Sequence, residues 1–401
     1  TQEFRIASDY SGSFNFLLGL FYFEEESSSQ TLITHPSLAA GQQLLGLPLD
    51  FEFFNIESDP VKSDSLALFG EGYFDIGDKT RLTLGLRYTD DHKEIRTRQL
   101  FLTFTDPAWV EAEDDWQELT GKLVGEYSIT DDSMVFASFS RGYKAGGLNP
   151  GGPAGGEGFD PEYINAFEIG SKNTFADGRF VANFGLFYYD YEDLQIGQIS
   201  ETSAITVNTD AETFGAEGEF MFAPFAAWLF DLSVAWLDLE IKDFESADEG
   251  DPDGIAPGTV PALDQNGDPR FTDRGLLIKD LDGNTLRNAP EYSVNLGGQY
   301  THLFGSGYEL SGRVEYFWQD DYFANEFNKP SDKLDSWEQL NLQATLQSPE
   351  ANWLVRLYVK NALDNDDPIR LNQEGSLVGR FRSVTVLEPR TYGVEFQMRF
   401  E

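Results

Sequence analysis

Alternation of apolar and polar side chains recurs along most of this chain and constrains its fold more than any other feature. In residues 81–88 the even positions are Leu82, Leu84, Leu86 and Tyr88, whereas the odd positions carry arginine, threonine or glycine. Residues 292–300 and 340–347 repeat the pattern. Since a period of two places successive side chains on opposite faces of a β-strand, the pattern predicts an all-β protein whose strands each have one apolar face.

The connectors between these segments fall into two lengths. Short turns rich in Asp, Gly and Ser suit hairpins; they lie at residues 11–13, 77–79, 131–132, 176–178, 305–307 and 348–350. Long connectors cover about residues 26–62, 97–114, 145–161, 243–287 and 371–389. Turns at one end of each hairpin and long loops at the other are typical of an antiparallel transmembrane β-barrel.

Counting the alternating segments predicts about fifteen strands. Two runs, 80–99 and 308–327, exceed the roughly 9 to 11 residues that cross a bilayer, so we expect both to continue above it as a ribbon. Single-chain bacterial barrels have even strand numbers. We therefore expect residues 1–401 to be the C-terminal part of a longer barrel protein, with the first strands missing.

Charge and composition exclude several classes of function. The chain has 69 acidic against 28 basic residues, a formal net charge of −41, so we expect no nucleic-acid partner. It has no cysteine and three widely separated histidines, so we expect no metal site with thiolate or imidazole ligands, no cofactor and no catalytic residue of the usual motifs. The acidic connector at 245–254 leaves two alternatives, a calcium site and a solvated loop.

Five ordered segments carry a family resemblance. Residues 133–150 read SMVFASFSRGYKAGGLNP, residues 161–195 contain Pro-Glu and then Glu-x-Gly-x-Lys, and residues 208–220 read NTDAETFGAEGEF. Residues 357–368 read LYVKNALDNDDP, and RTYGVEFQMRF follows at 390–400. Together these segments resemble the TonB-dependent outer-membrane receptors, in particular the siderophore receptors among them.

The resemblance implies a barrel of about 22 strands, an N-terminal plug and a TonB-contacting segment. The fifteen segments would then be the last fifteen strands, with the plug absent from residues 1–401. It also implies a Gram-negative outer-membrane location. The implied partners are a ferric siderophore or similar small ligand, the TonB complex through the missing N-terminal part, outer-membrane lipid and the barrel-assembly machinery.

Candidate ligand-binding residues lie where the strand at 133–144 meets its glycine-rich connector. Arg141, Tyr143 and Lys144 end that strand, and the aromatic Phe159 follows in the connector. In one interpretation the cations meet an anionic ligand. In the other, Tyr143 belongs to the aromatic girdle of a barrel and the cations pair with neighbouring carboxylates.

The leading functional hypothesis is outer-membrane, TonB-dependent uptake of a scarce nutrient, for which we expect a ferric siderophore. Haem, cobalamin and oligosaccharides are alternative ligands, because receptors for them share these barrel motifs. A β-rich outer-membrane enzyme and a secreted adhesin are the competing classes. The apolar face of residues 392–400 disfavours the adhesin, since so much apolar surface requires lipid or a second sheet to cover it.

Overall fold

The protein is described here by a computed structural model. It describes residues 1–32, 54–101, 108–150, 157–200, 203–248, 250, 260–272, 275–373 and 381–400. Apart from a single 3-10 turn at Pro330–Asp332, all regular structure in these ranges is β-strand. No helix in the described ranges has the length and apolar character needed to cross a membrane.

Fifteen strands form one sheet. They are β1 (Gln2–Ala7), β2 (Phe14–Leu32), β3 (Phe54–Ile76), β4 (Thr80–Phe101), β5 (Val110–Thr130), β6 (Ser133–Lys144), β9 (Glu162–Phe175), β10 (Phe180–Ser200), β11 (Ser203–Phe222), β12 (Trp228–Lys242), β16 (Tyr292–Leu303), β17 (Glu309–Gln319), β20 (Trp337–Gln347), β21 (Trp353–Lys360) and β24 (Thr391–Met398).

Shorter strands lie in the connectors between them. They are β7 (Gly147–Asn149), β8 (Glu157–Phe159), β13 (Glu245–Ala247), β14 (Val260–Pro261), β15 (Ile278–Asp280), β18 (Tyr322–Phe323), β19 (Lys333–Leu334), β22 (Pro368–Gln373) and β23 (Arg382–Val386).

The main sheet is an antiparallel meander in which every strand pairs with the next main-sheet strand along the chain. No ladder joins β1 to β24 in the part of the chain that the structure describes, so the sheet is open there. This topology confirms the predicted fold class and the count of fifteen strands. A meander needs only hairpin connections, which agrees with the tight turns in the sequence.

One face of the sheet is a continuous apolar surface. Leu84 pairs with Leu123, Leu123 with Phe139 and Phe139 with Phe167, so apolar side chains follow one another across four successive main-sheet strands. Phe167 then lies opposite Tyr188. Between 39% and 48% of the surface of the leucines and phenylalanines in this row is exposed. So much contiguous exposed apolar surface fits contact with lipid.

The opposite face is polar and held together by ion pairs. Arg313 on β17 reaches Asp231 on β12 at 2.8 Å and Glu315 at 2.7 Å. The bridge passes over Gly297 on the intervening strand β16, where any Cβ would collide with the Asp231 carboxylate. Glycine at position 297 therefore allows a charge pair to span two strand spacings.

Short turns lie at one end of the sheet and long connectors at the other. In the turn between β9 and β10, Asp177 and Gly178 have φ of 57° and 83°, which matches the right-handed twist of a hairpin. At the loop end, β3 and β4 reach 23 and 22 residues, about twice the length that spans a bilayer. The predicted extension of residues 80–99 is thus confirmed.

Two expectations about the loop end are wrong. The run 308–327 does not continue as a ribbon, because β17 ends at Gln319 and residues 320–336 fold into a connector that contains β18, the 3-10 turn and β19. The connectors expected at 26–62 and 97–114 are shorter, because β2, β3, β4 and β5 pair far into both ranges. Residues 33–53 and 102–107 lie outside the described residues, as do 251–259 of the acidic connector.

Candidate functional site

Three connectors and the tip of one strand meet at the loop end of the sheet and line a cavity of about 180 Å³. They are the tip of β10 and the connectors that follow β12, β17 and β21. The lining residues are Ile196, Gly197, Gln198, Phe244, Ser246, Ala247, Asp248, Gly250, Arg287, Ala324, Asn325, Glu326, Phe327, Leu371, Asn372 and Gln373. We call this assembly of connectors the loop layer.

The loop layer has a small hydrophobic core of its own. Ile196, Ile241, Phe244 and Leu281 are buried together, and Phe327 packs against them. Ile241 has no exposed surface at all. Since these residues come from the ends of β10 and β12 and from the connectors after β12 and β17, their burial holds the connectors in one arrangement.

A buried network of charged side chains adjoins this core. Lys329 Nζ lies 2.5 Å from Asp248 Oδ2 and 3.3 Å from Asp332 Oδ2, and Lys279 Nζ lies 3.8 Å from the same oxygen of Asp248. Arg382 reaches Asp332 at 2.7 Å. At least 95% of the side-chain surface is buried for Asp248, Lys279, Lys329 and Asp332. Buried charges persist only when they are paired, so the network ties the connectors after β12, β17 and β21 to one another.

Glu326 is a second buried carboxylate beside the cavity. Its Oε1 lies 3.0 Å from Arg287 Nε, and the glutamate is only 7% exposed. Burial raises the pKa of Glu326, and the positive charge of Arg287 opposes part of that effect. Next to it, Asn325 donates from Nδ2 to Asp332 at 2.6 Å and accepts from the Phe327 amide at 3.1 Å. The wall that contains Glu326 is therefore rigidly positioned.

The structure brings two of the four predicted site residues, Arg141 and Tyr143, together around Tyr163. Arg141 donates to Glu192 at 3.0 Å and to Asn165 at 2.7 Å, and its guanidinium lies 4.6 Å from the ring centre of Tyr163. The ring of Tyr143 lies 5.8 Å from the same tyrosine. Arg141 is therefore neutralised by the neighbouring strands, as the second interpretation of the sequence predicted.

Lys144 and Phe159 occupy different surroundings. Lys144 Nζ lies 3.5 Å from Glu162, and 61% of its side chain is exposed. Phe159 lies on β8 opposite Gly147 of β7, and its ring fills the space that a Cβ at Gly147 would need. Phe159 thus packs the β7–β8 hairpin, while Lys144 has the more accessible charge.

The tip of β10 connects this group to the cavity. Gln195 donates its backbone amide to Glu162 at 2.9 Å and its side-chain amide to the carbonyl of Ala145 at 3.0 Å. The next residue, Ile196, lines the cavity. The predicted site residues and the cavity are therefore adjacent parts of the loop end.

Sequence reasoning did not identify the cavity-lining residues. Asp248 and Arg287 lie far apart in the connector after β12, Glu326 lies in the connector after β17, and no spacing motif links them. The only available signal was the presence of lysine and arginine in connectors that are otherwise strongly acidic. Such a signal indicates which residues could form ion pairs, but it does not show which residue pairs with which.

An antiparallel meander with an exposed apolar face, a polar face, short turns at one end and long connectors at the other defines a transmembrane β-barrel wall. Residues 2–362 match the model of the family described as "TonB dependent receptor-like, beta-barrel". The chain belongs to this family, which is located in the outer membrane of Gram-negative bacteria and comprises transporters rather than enzymes.

Individual proteins of known identity are similar to parts or all of the chain. A pesticin receptor of Yersinia enterocolitica is 25% identical over 176 residues, 43% of this chain and 25% of that protein. The ferric yersiniabactin uptake receptor FyuA from Yersinia pestis has a TM-score of 0.76 at 17% identity, over 100% of this chain and 53% of that one. The copper transporter OprC has a TM-score of 0.67 at 14% identity, over 99% and 55%. The chain thus spans about half the length of these structures.

Proposed function

We propose that the protein takes up a scarce nutrient across the outer membrane and that this nutrient is a ferric siderophore. The observation that carries the proposal is the folded loop layer with a polar cavity above a polar sheet face. Membership of the TonB-dependent receptor-like family and the similarity to a ferric yersiniabactin uptake receptor support it. Similarity to a copper transporter makes a copper complex the second candidate cargo.

We also propose that residues 1–401 are the C-terminal part of the receptor barrel, supported by the half-length match to related structures. The loop layer would capture the ligand, and TonB, driven by the proton-motive force, would displace a plug supplied by the N-terminal part. The ligand would then pass along the polar face, where Arg313 is paired with both Asp231 and Glu315.

The predicted residues have proposed roles in this scheme. Lys144 is the cation that a ligand reaches first, since its side chain is 61% exposed. Arg141 and Tyr143 hold the β6–β9 end in place through Tyr163, and Phe159 shapes the adjoining connector. The apolar face would contact outer-membrane lipid, and the C-terminal aromatic Phe400 would be read by the barrel-assembly machinery.

Uptake of radioactive iron tests the proposal. The gene is expressed in a Gram-negative strain that lacks its own siderophore receptors, and a panel of ⁵⁵Fe-labelled chelates is supplied. We expect accumulation of at least one chelate that requires TonB and stops when the proton-motive force is dissipated. Lys144→Ala should reduce uptake at low chelate concentration, whereas Lys79→Ala, at the turn end, should not. TonB-dependent uptake of copper, haem, cobalamin or an oligosaccharide without uptake of any ferric chelate would overturn the siderophore assignment.

A further inference from the structure

A buried lysine and a buried aspartate from two different connectors are in contact in the loop layer. Lys329 Nζ lies 2.5 Å from Asp248 Oδ2, and the two residues are 81 positions apart in the chain. Since a carbon–oxygen double bond is about 1.2 Å long, Asp248 Cγ lies within about 3.7 Å of that nitrogen. Reacting atoms that are poised to form a bond are typically about 3 to 3.5 Å apart. The amine and the carboxyl carbon are therefore close to a reactive arrangement.

Two further charged groups contact the same reacting groups. Asp332 Oδ2 lies 3.3 Å from Lys329 Nζ, where it can accept a proton from the amine. Arg382 bonds the other oxygen of Asp332 at 2.7 Å and so holds this carboxylate in position. Lys279 Nζ lies 3.8 Å from Asp248 Oδ2, where its positive charge stabilises negative charge that develops on that oxygen. The cluster thus contains a nucleophile, a carboxyl group that it can attack, a base and a stabilising cation.

Burial favours amide formation at this site over the same contact in water. At least 95% of the side-chain surface is buried for Asp248, Lys279, Lys329 and Asp332. An ammonium and a carboxylate lose hydration free energy when they are buried, whereas the amide that they can form is uncharged. A buried site also keeps bulk water away from the new bond.

A disulfide cannot join the connectors, because the chain has no cysteine. Long connectors of an outer-membrane barrel lie outside the cell. Exposed connectors are the parts of a protein that open and are cut by proteases most readily. A covalent link between lysine and aspartate would hold two of the connectors together without cysteine.

We propose that Lys329 and Asp248 form an intramolecular isopeptide bond, which joins the connector after β17 to the connector after β12. Lys329 Nζ attacks Cγ of Asp248, a carbon–nitrogen bond forms, and one carbon–oxygen bond of the carboxylate breaks. Two of the three ammonium protons leave with that oxygen as water, one of them by way of Asp332, and the third stays on the amide nitrogen. No other reactant is consumed, and no atom is oxidised or reduced. The inference goes beyond the proposed uptake function and does not depend on it.

The mass of the purified parent chain tests the proposal without any variant or ligand. We expect the intact, unfolded chain to be lighter than its sequence requires by the mass of one water molecule. After proteolysis, fragmentation should identify a branched peptide in which Lys329 is joined to Asp248. Lys62 and Glu94 form an exposed ion pair of 3.1 Å and serve as the internal control, because no branched peptide should join them. Linear peptides that cover Asp248 arise only from the ion-paired form, so hydrogen exchange of that form can be measured separately.

Three variants identify the groups that react. Lys329→Arg keeps the positive charge but removes the nucleophile, so it should have the full sequence mass. It should also migrate more slowly than the parent in a fully denaturing gel, since the parent keeps a closed loop of chain. Asp332→Asn retains both reacting groups and should slow bond formation at least tenfold after a pulse of synthesis. Asp332→Glu restores a carboxylate and should recover part of that rate, which a merely structural role of the wild-type side chain would not predict.

Several results would overturn the proposal. A parent chain of full sequence mass would exclude the bond. A branched peptide at another pair of residues, or a water loss that persists in Lys329→Arg, would exclude this lysine as the nucleophile. An unchanged rate in Asp332→Asn would exclude the proton transfer assigned to Asp332.

Discussion

Replacing Asp248 by asparagine removes the carboxylate that two buried lysines share. Lys329 Nζ lies 2.5 Å and Lys279 Nζ 3.8 Å from Asp248 Oδ2, and the three side chains are at most 5% exposed. After the change Lys329 still faces Asp332 at 3.3 Å, whereas Lys279 loses its 3.8 Å contact with the Asp248 carboxylate. We therefore expect the connectors of the loop layer to open more readily while the sheet stays intact.

The magnitude follows from what breaking a buried pair costs. Removing one partner of such a pair typically destabilises by about 3 to 5 kcal/mol, because the remaining charge stays buried. Since Lys329 keeps Asp332, the lower value of about 3 kcal/mol applies to the Asp248→Asn variant. At about 1.4 kcal/mol per factor of ten, local opening should become roughly 100-fold more frequent.

Hydrogen exchange measured by mass spectrometry on the micelle-bound protein gives the readout. The Ala324 amide, bonded to the carbonyl of Asp332, and the Leu281 amide, bonded to that of Phe244, report on the loop layer. Both should exchange roughly 100-fold faster in the variant. Amides in the middle of β16 should be unchanged and serve as the internal control.

A double variant separates the loss of a pair from the loss of packing. Replacing Lys279 by methionine as well as Asp248 by asparagine removes a charged group from each side of the 3.8 Å contact between these two side chains. Most of the lost protection should return, because an apolar replacement of a buried charge is often close to neutral. Less than a tenfold change in Asp248→Asn, or equally fast exchange in the single and double variants, would refute this reasoning.

Three further outcomes are expected. Leu342→Arg, on the exposed apolar face, should lower the free energy of unfolding in lipid vesicles by about 2 to 4 kcal/mol. Gln343→Arg, at the next position and on the polar face, should lower it much less. Equal losses in the two variants would contradict the assignment of the faces. Because burial raises the pKa of Glu326, the folded loop layer binds the Glu326 proton more tightly than the unfolded chain does. Protection of the loop layer against hydrogen exchange, corrected for intrinsic rates, should therefore fall as the pH rises from about 4.3 through the raised pKa. Glu326→Gln should flatten this dependence of protection on pH. A Cβ at Gly393 would collide with the ring of Tyr358. Gly393→Ala should therefore lower the free energy of unfolding, measured by urea denaturation, by about 1 to 3 kcal/mol. Adding Tyr358→Ala to the same chain should restore part of that free energy.

The faces of the strands could be predicted from local pattern alone. The alternation in residues 81–88 placed Leu84 and Leu86 on one face, and the structure leaves both exposed on the apolar face. The count of fifteen strands followed from the same pattern and from the turn residues. Side-chain direction in a strand depends only on the parity of the position, so no knowledge of distant residues was needed.

Strand ends at the loop end were less predictable. The aromatic residues Tyr322 and Phe323 follow shortly after the end of β17, yet they pair with β19 instead of extending β17. Tyr322 is 5% exposed and donates to the carbonyl of Ile369, which lies in the connector after β21. This strand ends where it does because burial in the loop layer competes with continued pairing in the sheet.

In the candidate site, too, local sequence features could be recognised but contacts between distant residues could not. Arg141 and Tyr143 were recognised because they adjoin a motif, but the partner that neutralises Arg141, Glu192, lies 51 residues away. Lys329 and Asp248 are 81 residues apart, and no feature of either connector points to the other.

The sequence by itself therefore determined the strands, their two faces and the family, because each of these depends on short-range periodicity and local motifs. Only the tertiary structure decided where the strands end at the loop side, which charges are buried together and that a cavity forms among three connectors and the tip of β10. Connectors of this length can join their two strands in many conformations, and the entropic cost of closing the loop is similar for all of them. Their mutual burial and their charge pairing, which act between residues far apart in the chain, select one of them.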